Sequence, residues 1–234
     1  MPLIGKTAPD FTAKAVVGSE FVDCTLSANW TGKQPKYTLL FFYPLDFTFV
    51  CPTEIIAFSD RIAEFQERNV QVVGVSVDSE YSHLAWKGTP RAEGGLGDIH
   101  YPLVADLKKE IAAAYDVLAP DGTAYRGLFL IDQKGTVRHA LVNDHPLGRS
   151  IDEALRTVDA LQHVETHGEV CPADWRPGQQ AMHADPVRSK EYFGAKGGSG
   201  ASGHGSAGGS ANGGKVVVKA TPKVPAKPAK KAAW

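Results

Sequence analysis

Two cysteines, a threonine and an arginine have the types and settings for redox chemistry. Cys51 stands in FYPLDFTFVCPTE, after Pro44 and Thr48, and Cys171 follows 120 positions later in GEVCPADW. Arg126 lies between them in YRGLFLID. A thiolate is the reactive form of cysteine, and a hydroxyl and a guanidinium suit the role of fixed donors around reacting oxygens. Each also has a plainer reading. Cys51 could be a small core residue, Thr48 a helix cap, Arg126 a solvated residue opening a strand, and Cys171 a spare thiol. No two cysteines have C-x-x-C spacing, the eight histidines show no ligand spacing, and Cys24 reads as structural. No metal and no cofactor are expected.

The elements that must place Cys51 are legible. Tyr37 to Tyr43 is a continuous aromatic and branched run closed by Pro44, which reads as a central strand. Downstream, Ile55, Phe58, Ile62 and Phe65 recur at helical spacing, with charged residues on the other face. Pro52 is tolerated only in the first turn of that helix, so Cys51 stands at its start, with Thr48 available as a cap. The positive dipole end and unpaired amides there favour thiolate.

The remaining chain alternates strand and helix. Pro9 to Leu26 forms an edge hairpin, VQVVGVSVD a buried strand ending at Asp78, and Ser79 caps a helix through Trp86. Tyr101 to Ala105 is a short strand, and Asp106 starts the helix LKKEIAAAYDV. YRGLFLID and TVRHALV form a hairpin. Ser150 with Glu153 makes a capping-box pattern ahead of a helix that Gly168 closes. The expectation is a mixed α/β sheet flanked by helices. Residues 1–168 form the domain, 169–196 an arm, and 197–234 a disordered tail, Gly/Ser-rich and then Lys/Pro/Ala-rich.

Composition fits one domain with a sizeable core, at 234 residues and 43% hydrophobic. The last twenty residues hold six lysines and no acid, which leaves 19 basic against 26 acidic residues, or −7, for positions 1–214. The basic tail could therefore engage an acidic partner such as nucleic acid or a membrane surface. Three cysteines make no disulfide scaffold, no apolar run is long enough to span a membrane, and no signal peptide is read, so a cytoplasmic protein is expected. A G-x-G-x-x-G in the glycine-rich tail has no preceding strand, and the near phosphate loop ending at Lys215 has Val216 where Ser or Thr is needed.

The stretch with Pro44, Thr48 and Cys51 resembles the peroxidatic motif of the peroxiredoxins, and FYPLDFTFVCPTE with VCPADW is similar to their typical two-cysteine branch. The resemblance spans about residues 1–193 and implies a thioredoxin-like fold. It implies that Cys51 attacks H2O2 or a small organic hydroperoxide, with Thr48 and Arg126 holding peroxide and thiolate and Pro44 excluding water. Cys171 would then form a disulfide with Cys51 of a partner subunit, and thioredoxin or an AhpF-like reductase would restore both thiols. Glu54, Trp86 and Arg149 match supporting positions. Gly94, Gly95, Leu96 and Gly97, with Tyr192 and Phe193, are similar to the GGLG and YF segments of peroxiredoxins prone to overoxidation. Homodimers assembling into a decamer, a pentamer of dimers, are implied. The competing readings are a peroxiredoxin-like ring acting as chaperone or scaffold, and a thioredoxin-type oxidoreductase, which Glu54 disfavours by standing where a second C-x-x-C cysteine would.

Overall fold

A computed structural model describes residues 3–197. The chain divides into two units, Met1–Phe193 and Gly194–Trp234. Nearly all of the second, including the basic tail, lies outside the described residues.

The strands are β1 (Thr12–Val17), β2 (Glu20–Thr25), β3 (Tyr37–Phe42), β4 (Val70–Ser76), β5 (Leu103–Ala105), β6 (Arg126–Ile131) and β7 (Val137–Asn143). The helices are α1 (Ala28–Thr31), α2 (Cys51–Asp60), α3 (Ile62–Glu67), α4 (Glu80–Gly88), α5 (Glu110–Ala114), α6 (Ile151–His167) and α7 (Ser189–Gly197). All seven strands form one sheet in the order β2-β1-β5-β4-β3-β6-β7. β3, β4 and β5 run parallel to one another, and the pairs on either side are antiparallel. The expected mixed α/β sheet is present, and the N-terminal hairpin forms one edge beside β5.

The continuous apolar run of β3 is explained by burial on both faces. Leu39, Phe41 and Tyr43 join one core with α2, α3 and α6, while Leu40 and Phe42 join the other. Phe41 stacks on Phe58 with ring centroids 4.8 Å apart. It also fixes a composition requirement on β4, because a Cβ on Gly74 would lie 2.9 Å from the Phe41 ring.

Several local expectations need correction. The helix after Cys51 breaks at Arg61, whose guanidinium bonds Glu64 at 2.6 Å and Asp152 of α6 at 2.6 Å. The alanine-rich helix begins at Glu110 rather than Asp106, because the Asp106 carboxylate accepts the amides of Ile111 and Ala112 from outside the helix. Only half of the capping box forms: Ser150 Oγ accepts the Glu153 amide, but the Glu153 carboxylate turns to Arg156. Ser79 does cap α4, and Gly168 closes α6 in the left-handed region. The arm is looser, with Val170 and Met182 paired as an isolated bridge before α7.

Candidate active site

Cys51 is the first residue of α2, directly beyond the loop that follows β3. Val50 occupies the cap position, and its carbonyl accepts the amides of Thr53 and Glu54. Thr48 is not the cap: its hydroxyl donates to the carbonyl of Leu45 at 2.8 Å, which braces the loop. Of the amides that follow the sulfur, Pro52 has none and those of Thr53 and Glu54 are bonded to Val50.

The sulfur's partner is instead a guanidinium. Arg126, the first residue of β6, places Nη1 3.4 Å from Cys51 Sγ. The same nitrogen donates to Glu54 Oε2 at 2.7 Å, and Nε donates to the carbonyl of His145 at 2.6 Å. Glu54, one turn beyond Cys51, also takes three bonds from Arg149, two at 2.8 Å and one at 3.0 Å. Arg149 then donates Nη1 to the carbonyls of Phe42 and Gly127 and lies over the Phe41 ring. Arg126, Glu54 and Arg149 are all nearly inaccessible. Two cations and one anion leave this buried group with an excess positive charge beside the sulfur. Arg126 is thus far from a solvated residue at a strand start.

Cys51 itself has 0% exposure, and Pro44 is also buried. The loop between them is different: Leu45, Phe47 and Phe49 are exposed, Phe49 to 92%, and Phe47 adopts φ 53°, a strained value for an aromatic residue.

The glycine-rich segment is fastened to α4. Buried Trp86 donates its indole N–H to the carbonyl of Gly94 at 2.9 Å, and its ring lies 5.7 Å from that of Phe47. Leu96 is fully buried in the same core cluster as Cys51 and Trp86. Gly95 and Gly97 fold against Thr89, and the Gly97 N–H donates a hydrogen bond of 3.2 Å to the Thr89 carbonyl. Tyr192 is buried and Phe193 exposed, with their rings edge to face at 5.6 Å. Leu96 shares the Cys51 core, whereas Tyr192 belongs to neither core cluster.

Cys171 is half-buried, and its Sγ lies 3.6 Å from the carbonyl of Ala160 on α6. Burial raises its thiol pKa above the ordinary value, Arg156 opposes this and Glu169 adds to it. Cys24, Cys51 and Cys171 are all free thiols. Burial likewise raises the thiol pKa of Cys24 on β2. Among the described residues, no group of three or more His, Cys, Asp or Glu side chains could hold a metal ion.

One buried network escaped the sequence reading. His83 Nδ1 meets Asp46 Oδ2 at 2.8 Å, Tyr43 donates to Asp46 Oδ1 at 2.9 Å, and the Asp46 amide donates to Asp78. It ties the start of the Cys51 loop to α4. Burial, reinforced by the Asp46 charge, holds the Tyr43 hydroxyl far above the usual tyrosine range.

Residues 4–140 match the AhpC/TSA family, and residues 160–195 match the C-terminal domain of 1-Cys peroxiredoxin. The chain is 57% identical over 196 residues to the chloroplastic 2-Cys peroxiredoxin BAS1 of Hordeum vulgare, covering 83% of this chain and 92% of the barley protein. A reduced 2-Cys peroxiredoxin from Plasmodium vivax superposes with TM-score 0.80 at 48% identity, covering 83% of this chain and 100% of that one. Prx1a from Plasmodium yoelii, which forms an artifactual octamer when modified at its N-terminus, matches with TM-score 0.65 at 53% identity, over 73% of this chain and 97% of that one. The barley relative is chloroplastic by name, as are relatives from Spinacia oleracea and Arabidopsis thaliana, which overturns the cytoplasmic expectation. Free cysteines report only a reducing environment, and compartments share that property. No helix among the described residues is long and apolar enough to cross a membrane.

Proposed function

The chain belongs to the AhpC/TSA family, with a thioredoxin-like fold and the thiol-peroxidase, antioxidant activity of a 2-Cys peroxiredoxin, and from that premise we propose that Cys51 is its peroxidatic residue. The observation that carries this is the contact between Cys51 Sγ and Arg126 Nη1 inside a buried cluster with excess positive charge. The Cys51 thiolate attacks the terminal oxygen of H2O2 or a small organic hydroperoxide. The O–O bond breaks, the leaving oxygen takes a proton and departs as water or alcohol, and Cys51 becomes a sulfenic acid. Arg126 stabilises the charge that moves onto the departing oxygen. Because the sulfur is covered, peroxide enters when the strained loop carrying Leu45, Phe47 and Phe49 parts. Thr48 is then free to exchange its Leu45 bond for one to peroxide, while Pro44 keeps bulk water out.

Cys171 is the resolving residue. Its thiolate displaces hydroxide from the sulfenic sulfur as water, giving a Cys51–Cys171 disulfide between subunits, which a dithiol protein, thioredoxin or an AhpF-like reductase, then reduces. Glu54 and Arg149 hold Arg126 in place. Gly94 to Gly97 and Tyr192-Phe193 restrain the unfolding that brings the sulfurs together, so a second peroxide has time to overoxidise Cys51. The domain ends near residue 168, and residues 169–196 act as the resolving arm.

The family is oligomeric, and two features support dimers assembling into a ring of ten: an outer strand, β7, and the exposed phenylalanines beside Cys51. The lysines beyond residue 214 favour an acidic partner for the tail. Peroxide consumption with thioredoxin and its reductase tests the assignment. Cys51→Ser should abolish turnover, and Cys171→Ser should complete one oxidation and stall. Undiminished turnover by Cys51→Ser overturns the proposal.

A further inference from the structure

For the two sulfurs to bond, the Cys171 segment has to leave α6, because no arm residue is among those packed around Cys51 in its core. Val170 and Met182 exchange backbone hydrogen bonds of 2.8 and 3.0 Å, closing a loop that contains Cys171. Glu169 sits at the foot of this loop. Its Oε2 is 2.9 Å from His163 Nε2 on α6, and its Oε1 is 3.7 Å from His183 Nε2, just past the other end of the loop. One carboxylate thus touches the helix, the loop's entry and its exit. The His163 ring also lies 4.6 Å from that of Trp175, which is buried and bonds Gln179 within the loop.

His183 has a second partner. Arg188 Nη2 lies 2.7 Å from the same Nε2. A guanidinium only donates, so this nitrogen is unprotonated in that arrangement and cannot also donate to Glu169. A proton on Nε2 removes the Arg188 bond, sets two cations against each other and turns the approach to Glu169 into an ion pair. His163 gains a charged hydrogen bond to the same carboxylate when it is protonated.

We propose that Glu169, with His163 and His183, forms a clasp that positions the Cys171 loop on α6, tightening as the imidazoles gain protons and so slowing resolution of the Cys51 sulfenate. The proposal rests on the assignment of Cys171 as the resolving residue. The groups facing the clasp are His167, stacked on His163 at 4.3 Å, Asp185 and Arg188 on the segment leading to α7, and the Cys171 thiol beside Glu169; Arg156 of α6 faces that thiol and Asp174. Histidine is the side-chain type whose charge changes across the range the test covers.

The test is rapid mixing of the reduced full chain with peroxide, acid quenching, and mass spectrometry of sulfenate and disulfide from pH 5.5 to 8. Ionisation of the Cys171 thiol alone makes resolution about tenfold faster per pH unit. Wild type should rise more steeply than this between pH 6 and 7. The double variant His163→Gln, His183→Gln should follow the tenfold line and resolve about three- to tenfold faster than wild type at pH 6, converging with it at pH 8. Glu169→Gln should lose the steep segment as well, with a higher rate throughout because its charge no longer opposes the Cys171 thiolate. A wild-type profile on the tenfold line, with the double variant superimposed, overturns the clasp and leaves Cys171 as the resolver. Disulfide formation by Cys171→Ser overturns that assignment and the clasp together. Amide exchange over residues 170–182, corrected for intrinsic rates, gives a reading independent of chemistry. Protection should be greater at pH 6 than at pH 7.5 in wild type and equal in the double variant, and pH-independent protection in wild type overturns the clasp.

Discussion

Arg126 and Arg149 divide the work around Glu54, and the division predicts different phenotypes. Arg126 touches the sulfur through one bond and Glu54 through another, while Arg149 never approaches the sulfur and donates to Glu54 and to two main-chain carbonyls. Arg126→Met should therefore lower the rate of peroxide reduction by about 10²- to 10³-fold, the scale on which removing one charge-stabilising donor acts. Stopped-flow at saturating thioredoxin measures it. Arg126→Lys should fail to rescue, because an ammonium lacks the planar fork that reaches sulfur, carboxylate and the His145 carbonyl together. Arg149→Met should instead cost about 3–5 kcal/mol of stability, since it leaves a buried carboxylate short of its partner and two carbonyls unpaired. A shift in denaturant midpoint at constant slope would report it, and an unchanged midpoint would contradict it. Local pattern placed Cys51 at a helix start, whereas Glu54, Arg126 and Arg149 were singled out only through the family resemblance. His83 with Asp46 was not legible, because 37 positions separate two ordinary polar residues that only β3, its following loop and α4 bring together.

At the scale of elements, periodicity located strands and long helices, and failed where a side chain from elsewhere decided the boundary. Arg61 reaches across to α6 and divides α2 from α3, and Asp106 caps amides five and six residues ahead, so neither end was visible in local spacing. Gly95 was noticed as part of a motif, but its geometric reason is tertiary: a Cβ there would lie 2.0 Å from the Thr89 carbonyl oxygen. Gly95→Ala must shift the segment off the end of α4 and loosen Leu96 and Trp86. The expected outcome is a loss of about 1–3 kcal/mol together with less sulfinic acid at a fixed peroxide dose, read by mass spectrometry of the Cys51 peptide. Unchanged sulfinic acid would separate this segment from overoxidation. β7 supplies a pH prediction. Burial lowers the pKa of His139, with Arg156 pushing the same way and Glu153 opposing. The unfolded chain then takes up this proton first as pH falls below about 6.5, so the contribution to stability is present above that pH and lost below it. Urea titrations at pH 7 and 5 should show a smaller acid loss for His139→Gln than for wild type.

For the whole molecule, the sheet's two edges are not equivalent. β2 carries Glu20 and Asp23, the latter paired with Lys14 at 2.7 Å, and such charges discourage another strand from adding. β7, with the sequence VRHALVN, has one full charge and leaves Val142 half-exposed. A two-fold axis beside β7 would set identical patches against each other, so a carboxylate placed there meets its own copy. Val142→Glu should consequently weaken the dimer, with light-scattering mass falling toward that of one chain as concentration drops. Phe49 belongs to a different surface. An aromatic ring 92% exposed beside a buried site is anomalous for a chain that stays alone, and covering it removes a large apolar area from water. Phe49→Asp should leave the proposed dimers intact and remove the proposed ring, and because the same loop covers Cys51, assembly and peroxide reactivity should change together. Dimers that react as fast as the ring would detach Phe49 from the site, and an unchanged mass for both variants would place the interfaces elsewhere. Sequence patterning could suggest an oligomer only through resemblance, since exposure of Phe49 is a property of the folded surface and a phenylalanine in FTFVC reads equally well as core.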